Sequence, residues 1–203
     1  MLVAEKQSIA WMKLLATASY WFHNPDPIAI RATLAVPAAL SLSQACTWLM
    51  IIGPSSSGKT ELHFPIARAY STVIETSDVN VPGLLSLGRG YKGEGALKRI
   101  GVKGLWLIKD FGSIIAMREE KRNELLAAMR EIFDGSWSRD TGRGRELWTG
   151  MVNIVAAATP AIERAYKVNQ ELGSRFIHIR LLRPSGNGVR EKATLQAGKK
   201  RKM

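Results

Sequence analysis

The sequence contains very little cysteine and histidine. Cys46 is the single cysteine, which excludes an intrachain disulfide and a zinc site built from several cysteines. The three histidines, His23, His63 and His178, are far apart and lack the spacing that metal ligands typically show. We therefore expect no metal bound by histidine, and a chain compatible with the reducing cytoplasm.

Long uninterrupted apolar segments are also absent from the sequence. Glu5, Lys6 and Lys13 interrupt the amino-terminal region, so no secretory signal is expected there. The most apolar stretch, 28–50, contains Arg31 and several polar residues. We interpret this stretch as buried protein rather than a membrane span, and expect a cytoplasmic protein without membrane contact.

Acidic residues are few compared with basic ones. The chain has 29 Lys and Arg against 17 Asp and Glu, a net charge of +12. Half of this excess lies in residues 183–203, where a disordered tail over 184–203 is predicted and positive charge can simply favour solubility. The other half favours a polyanionic partner, with nucleic acid as the first candidate.

The length of 203 residues with 46% apolar and 23% charged composition is typical of one globular domain. We expect a helical segment at 1–46 packed on a core at 47–183. Asp26 and Pro27 predict a helix start, and Pro37 predicts that this helix bends or stops there.

One motif dominates the core. The segment G-P-S-S-S-G-K-T fits the phosphate-binding pattern G-x-x-x-x-G-K-[ST]. Glycines let the backbone turn so that several N–H groups face one phosphate, while the lysine and threonine can contact the β- and γ-phosphates and Mg²⁺. Its members, all candidate nucleotide-binding residues, are Gly53, Pro54, Ser55, Ser56, Ser57, Gly58, Lys59 and Thr60.

The neighbouring sequence supports this interpretation. An apolar run at 47–52 predicts a buried strand before the loop, and a helix is predicted over 61–70 after it. Further apolar runs predict strands at 71–75, 105–110, 151–158 and 176–182, helices at 119–133 and 161–172, and a β-hairpin at 135–150. A glycine-rich, basic segment at 83–104 is predicted to form a short helix around 97–100 and otherwise to be a loop. The pattern is typical of an α/β domain with a mainly parallel five-stranded sheet.

Asp110 is the candidate for a second Mg²⁺ ligand, because it ends an apolar strand. The alternative is an ordinary aspartate in a turn. Phe111 and Gly112 follow it, so no glutamate is present there to orient an attacking water. Glu75, at the end of another strand, can take that role or can be an exposed strand-end residue.

Thr159 and Arg175 complete the set of candidate catalytic residues. Thr159 follows a strand and can contact the γ-phosphate or cap the next helix through its position before Pro160. Arg175 can act as an arginine finger on a neighbouring subunit or form a surface salt bridge.

Two basic segments, 83–104 and the predicted hairpin at 135–150, are candidates for contact with nucleic acid. In these segments Trp137 or Trp148 can stack on bases or pack against the core. The candidate phosphate-binding side chains are Arg89, Lys92, Arg139, Arg143 and Arg145.

In its order of elements, the chain resembles the AAA+ ATPase core. The resemblance implies a three-layer P-loop fold with strand order 5-1-4-3-2 and a hairpin that reaches DNA. It also implies that Thr159 is a sensor of the γ-phosphate and that Arg175 is an arginine finger. The finger would act in a ring of subunits, which can be hexameric. More closely, residues 26–185 look like phage and mobile-element P-loop ATPases of the helicase or DNA-binding type, through W-L-M-I-I-G-P-S-S-S-G-K-T-E, L-W-L-I-K-D-F, R-E-I-F-D-G-S-W and L-G-S-R-F.

Two departures from the AAA+ pattern stand out. The glutamate after Asp110 is absent, and only a short tail follows the last predicted strand where the family continues into a helical lid. We expect an ATP- and Mg²⁺-dependent ATPase acting on nucleic acid. A nucleotide-gated DNA-binding module with little turnover and a small-molecule P-loop kinase are the alternatives.

Overall fold

The computed structural model describes residues 2–21, 26–42, 45–85, 94–141, 144–164 and 172–181. The predicted tail, most of the helix predicted at 161–172, and three of the candidate nucleic-acid ligands (Arg89, Lys92 and Arg143) lie outside these ranges.

A parallel sheet forms the centre of the described domain. When only the five strands of this sheet are numbered in chain order, they lie in the order 5-1-4-3-2 across it. The predicted α/β class and five-stranded parallel sheet are confirmed, and the predicted β-hairpin is present as a separate two-stranded sheet. The strands are β1 (Trp48–Ile52), β2 (Val73–Thr76), β3 (Lys103–Ile108), β4 (Ser136–Thr141), β5 (Gly144–Thr149), β6 (Met151–Ala158) and β7 (Phe176–Arg180), and β4 with β5 forms the hairpin.

Helices cover both faces of the sheet, which explains why every residue of β1 and nearly every residue of β3 and β6 is buried. Helices α2 and α3 pack on one face, and α4 to α8 contribute to the core on the other. The helices are α1 (Leu2–Trp21), α2 (Pro27–Leu42), α3 (Phe64–Ala69), α4 (Val81–Leu85), α5 (Ala96–Ile100), α6 (Gly112–Ile115), α7 (Glu119–Phe133) and α8 (Ala161–Arg164). Within the described ranges, no helix is long and apolar enough to cross a membrane.

Of the two outcomes expected at Pro37, a bend or a stop, the stop is wrong, because α2 continues to Leu42. Pro37 is buried, and the side chain of Asn153 on β6 donates a hydrogen bond of 2.9 Å to the carbonyl of Val36. Packing of α2 across β1, β3 and β6 outweighs the intrinsic cost of a proline inside a helix, about 3 kcal/mol.

Helix α1 differs from α2 in its environment. None of its described side chains, residues 9–20, is buried. Its one described ring contact to α2 is the stacking of the Arg31 guanidinium over the Trp11 ring, at 4.4 Å from the ring centroid.

One further expectation is corrected by the structure, and another is confirmed. The helix predicted over 61–70 is a 3₁₀ turn at Thr60–Leu62 followed by the shorter α3. The short helix expected around 97–100 is present as α5, and α4 overlaps the start of the same segment, because their leucines and isoleucine fill the core beside α7.

Candidate functional site

The carboxyl ends of the parallel strands meet at one edge of the sheet, which is where ligands bind in open α/β sheets. Loop 53–60 follows β1 at this edge, Asp110 follows β3, and Thr159 follows β6. The amide of Gly53 donates to the carbonyl of Ala158 (3.0 Å), so the start of the loop lies next to Thr159. The amide of Phe111 likewise donates to the carbonyl of Ala157 (2.8 Å) and holds the turn after Asp110 against β6.

The backbone of loop 53–60 is tightly turned. Gly58 has φ of +81° and Ser56 has φ of 60°, a left-handed conformation that is uncommon for a residue with a side chain. A Cβ at Gly53 would lie 2.7 Å from Oγ of Ser57, so a larger residue there would have to displace this side chain.

The loop also has free donors. In the described part of the chain, the amides of Ser55, Ser56, Gly58 and Lys59 donate to no acceptor, and the buried Oγ of Ser57 has no hydrogen-bond partner. A turn of this kind with unused N–H groups is a typical anion-binding arrangement.

Lys59 lies across this loop. Its Nζ donates to the carbonyl oxygens of Gly53 (2.8 Å) and Pro54 (2.6 Å), which places the ammonium group at the mouth of the turn. Partial burial lowers the pKa of Lys59 from its ordinary value, and the nearby Asp110 carboxylate opposes this shift. The structure therefore brings Lys59 and Asp110 together, as their proposed roles require.

Asp110 is exposed and held by its own turn. Its Oδ1 accepts the amide of Gly112 (2.8 Å), and its carbonyl accepts Oγ of Ser113 (2.9 Å). Phe111 is fully buried and anchors this turn in the core.

The donors available for a cation are the Asp110 carboxylate and the Thr60 hydroxyl. Among the described residues, no group of three or more His, Cys, Asp or Glu side chains is placed to hold a metal. Mg²⁺ commonly uses only one or two protein oxygens and takes its other ligands from water and substrate phosphates. The donor set at this edge fits such an ion.

Glu75 is held in an ion pair. Its carboxylate lies 3.0 Å from Nζ of Lys109, the residue before Asp110. Side chains alternate along a strand, and Val73, two residues before Glu75, packs into the core on the side of α2 and α3. Glu75 therefore faces α3 from within β2 rather than projecting beyond the carboxyl edge.

The structure does not bring Arg175 to the site of its own chain. β1 and β7 are parallel with Trp48 paired to Phe176 and Ile52 paired to Arg180. Arg175 precedes β7 and lies at the opposite edge of the sheet, where it donates to the carbonyl of Leu172 (3.2 Å) and lies 3.7 Å from Asp134.

The hairpin lies at this opposite edge as well. Trp137 and Trp148 face each other across its strands and are buried, and Nε1 of Trp148 donates to the carbonyl of Gly101 (2.8 Å). Of the two interpretations of these tryptophans, packing against the core is therefore correct. Arg139 lies 3.6 Å from Glu124, whereas Arg145 is exposed and donates to Ser138.

His63 is a residue at this site that the sequence analysis missed. It lies in the turn between the 3₁₀ segment and α3, is fully buried, and neither ring nitrogen has a hydrogen-bond partner. Burial lowers its pKa to about 4; the Glu75 carboxylate opposes this shift to a smaller extent, and the Lys109 ammonium group adds to it. Periodicity is the one signal in the sequence, because His63 lies three residues before the buried Ile66.

Because of His63, we expect the free energy of unfolding to decrease in acid. The unfolded chain binds a proton near pH 6.5, whereas the folded chain does so only near pH 4, so the stability is fully present above pH 6.5 and falls as the pH drops towards 4. The expected contribution is about 3 kcal/mol. His63→Leu should remove this dependence on pH. The measurement is the free energy of unfolding in urea, determined for wild type and for the variant at pH 7 and at pH 4.5.

At pH 7 His63→Leu should already be more stable by about 1–3 kcal/mol, because two unpaired buried nitrogens are removed. His178→Leu, which replaces an exposed histidine of β7, serves as the control and should leave most of the acid dependence in place. An unchanged dependence in His63→Leu would show that His63 does not stay neutral in the folded chain.

Comparison with models of protein families and with the curated proteins found no match to this chain. The resemblance to AAA+ ATPases therefore depends on the loop sequence and the order of the elements.

Proposed function

We propose that this chain is an AAA+-like P-loop protein that binds ATP with Mg²⁺ at the carboxyl edge of its sheet and hydrolyses it while acting on nucleic acid. The observation that carries the proposal is the geometry of loop 53–60, where unused amides surround a turn that is closed by the ammonium group of Lys59. The described strand order 5-1-4-3-2 is consistent with this assignment.

The residues at this edge would have two roles, phosphate binding and Mg²⁺ binding. The loop amides and Lys59 would bind the β- and γ-phosphates, and Thr60 with Asp110 would hold Mg²⁺. When bound, Mg²⁺ neutralises negative charge on the phosphate oxygens. Thr159, which lies beside Gly53, would orient a water molecule near the γ-phosphate.

Completion of the site by a second copy is also part of the proposal. Arg175 lies at the far edge of the sheet and cannot contact loop 53–60 of its own chain. Its side chain is about a quarter exposed, so it lies near the surface. In a homo-oligomer, a ring of six in the AAA+ pattern, this guanidinium would stabilise the charge that develops on a neighbour's ATP.

The proposed nucleic-acid partner is supported by charge. The net charge of +12 favours a polyanion, and Arg145 on the exposed face of the hairpin is the described candidate with most freedom to contact phosphate. The remaining support comes from basic residues outside the described ranges.

A nucleotide-gated DNA-binding module with little turnover is the second candidate. It is favoured by the ion pair between Glu75 and Lys109 and by Phe111 after Asp110, since neither position then supplies a carboxylate free to activate water. Such a protein would use ATP binding as a switch.

The test measures ATP binding and steady-state turnover by the purified chain, with and without single-stranded DNA. We expect ATP binding that needs Mg²⁺ and turnover that DNA stimulates several-fold. Asp110→Asn should weaken the Mg²⁺-dependent part of binding, whereas Asp140→Asn on the hairpin should not. Binding without turnover would favour the switch, and no binding in any condition would contradict both.

A further inference from the structure

His63 lies between loop 53–60 and helix α3. It follows Lys59 and Thr60 by one turn, and its amide donates to the carbonyl of Thr60 (3.1 Å). Its carbonyl accepts the amide of Ala67 (2.9 Å), so it also begins the first turn of α3. His63 therefore connects the end of the loop to the start of α3.

The imidazole ring is buried without partners for its polar atoms. It is fully enclosed, yet Nδ1 and Nε2 both lack a hydrogen-bond partner. Buried polar atoms are nearly always paired, and an unpaired one calls for a specific reason, because it is costly to keep. Packing gives no such reason, since a leucine of similar size would fill the same space.

Glu75 and Lys109 lie on the face of the sheet that α3 covers. They are the two residues whose charges act on His63, and they form an ion pair of 3.0 Å with each other. Helix α3 packs on β2, which carries Glu75. The amide of Lys109 donates to the carbonyl of Thr76 (2.8 Å), so the ion pair and the backbone both tie β2 to the residue before Asp110.

We propose that His63 is a positioning residue whose ring N–H donates a hydrogen bond to the Glu75 carboxylate when ATP and Mg²⁺ bind. Glu75 would then be shared by His63 and Lys109. The segment that carries Thr60 and the strand that ends at Asp110 would be held at a fixed separation, which sets the distance between the two cation ligands. This inference rests on the proposed function and assigns Glu75 to positioning instead of proton transfer.

A double-mutant cycle tests this coupling. ATP affinity is measured with Mg²⁺ and with EDTA for wild type, His63→Leu, Glu75→Leu and the double variant. We expect each single variant to lose about 10-fold in Mg²⁺–ATP affinity, as is usual for partners of metal ligands, with little change in EDTA. The double variant should be no weaker than the singles, because one interaction is lost in all three.

Two further variants separate positioning from packing. His63→Asn retains a short N–H donor and should recover part of the Mg²⁺-dependent affinity. Ile66→Val removes a methyl group from the same buried face of α3 and should lower thermal stability without changing the ratio of the two affinities. Thermal melts confirm that each variant is folded.

Three results would overturn the inference: Mg²⁺–ATP affinity unchanged in His63→Leu, losses that add in the double variant, or equal losses with Mg²⁺ and with EDTA. Failure of the wild type to bind ATP would overturn the proposed function together with this inference. ATP binding by wild type that Lys59→Ala removes, with His63→Leu unaffected, would overturn this inference alone.

Discussion

Lys59→Ala is expected to reduce Mg²⁺–ATP affinity by about 100-fold or more and to remove turnover. Nζ of Lys59 is held by two carbonyl oxygens of the loop at 2.6 and 2.8 Å, so its charge is already placed where phosphates would bind. The alanine variant leaves the amides but no cation to balance the triphosphate. Isothermal titration calorimetry with ATP and a phosphate-release assay measure the two effects.

Lys98→Ala is the matched control for this variant. Lys98 is also paired, with Glu146 at 3.0 Å, but it lies on α5 beside the hairpin at the opposite edge of the sheet. Its loss should leave ATP affinity within about threefold of wild type, because exposed charges at this distance are screened by salt. Equal affinity in Lys59→Ala and Lys98→Ala would contradict the assignment of loop 53–60 as the phosphate site.

Asn153→Leu is expected to destabilise the fold by roughly 2–5 kcal/mol. The fully buried side chain accepts the amide of Thr47 (2.9 Å) and donates to the carbonyl of Val36 (2.9 Å). It thereby joins α2 to the start of β1 across β6. Leucine has a similar size, so the loss arises from two backbone groups left unpaired in the interior.

Thermal and urea unfolding measure this loss, with a decrease in Tm of roughly 5–15 °C for a chain of this length. Asn123→Leu, at an exposed position of α7, is the control and should change stability by less than about 0.5 kcal/mol. A stable Asn153→Leu variant would show that water or local rearrangement satisfies Thr47 and Val36.

The parts of the site that the sequence predicted are those that depend on short segments. β1 and loop 53–60 are adjacent in the chain, and the glycine, lysine and threonine spacing is specific by itself. Asp110 and Thr159 were found for a related reason. Each ends an apolar run, and the carboxyl ends of parallel strands meet at one edge of a sheet.

The parts that the sequence analysis missed depend on pairs distant in the chain. Asn153 bonds to Val36 across more than a hundred residues, and nothing near Pro37 signals that contact. The ion pair of Glu75 with Lys109 similarly follows from the register of β2 with β3, which places the two side chains on one face. A strand-end glutamate has the same local sequence whether it is free or paired.

By itself, then, the sequence determined the α/β class, the strand before loop 53–60 and the residues that follow the strands, because apolar periodicity and loop chemistry act within a few residues. Only the tertiary structure decided that α2 continues through Pro37, that the hairpin tryptophans are buried, and that the ring nitrogens of His63 are buried without a hydrogen-bond partner. Each of these outcomes depends on which side chains packing and strand register bring together, and that is a property of the whole fold.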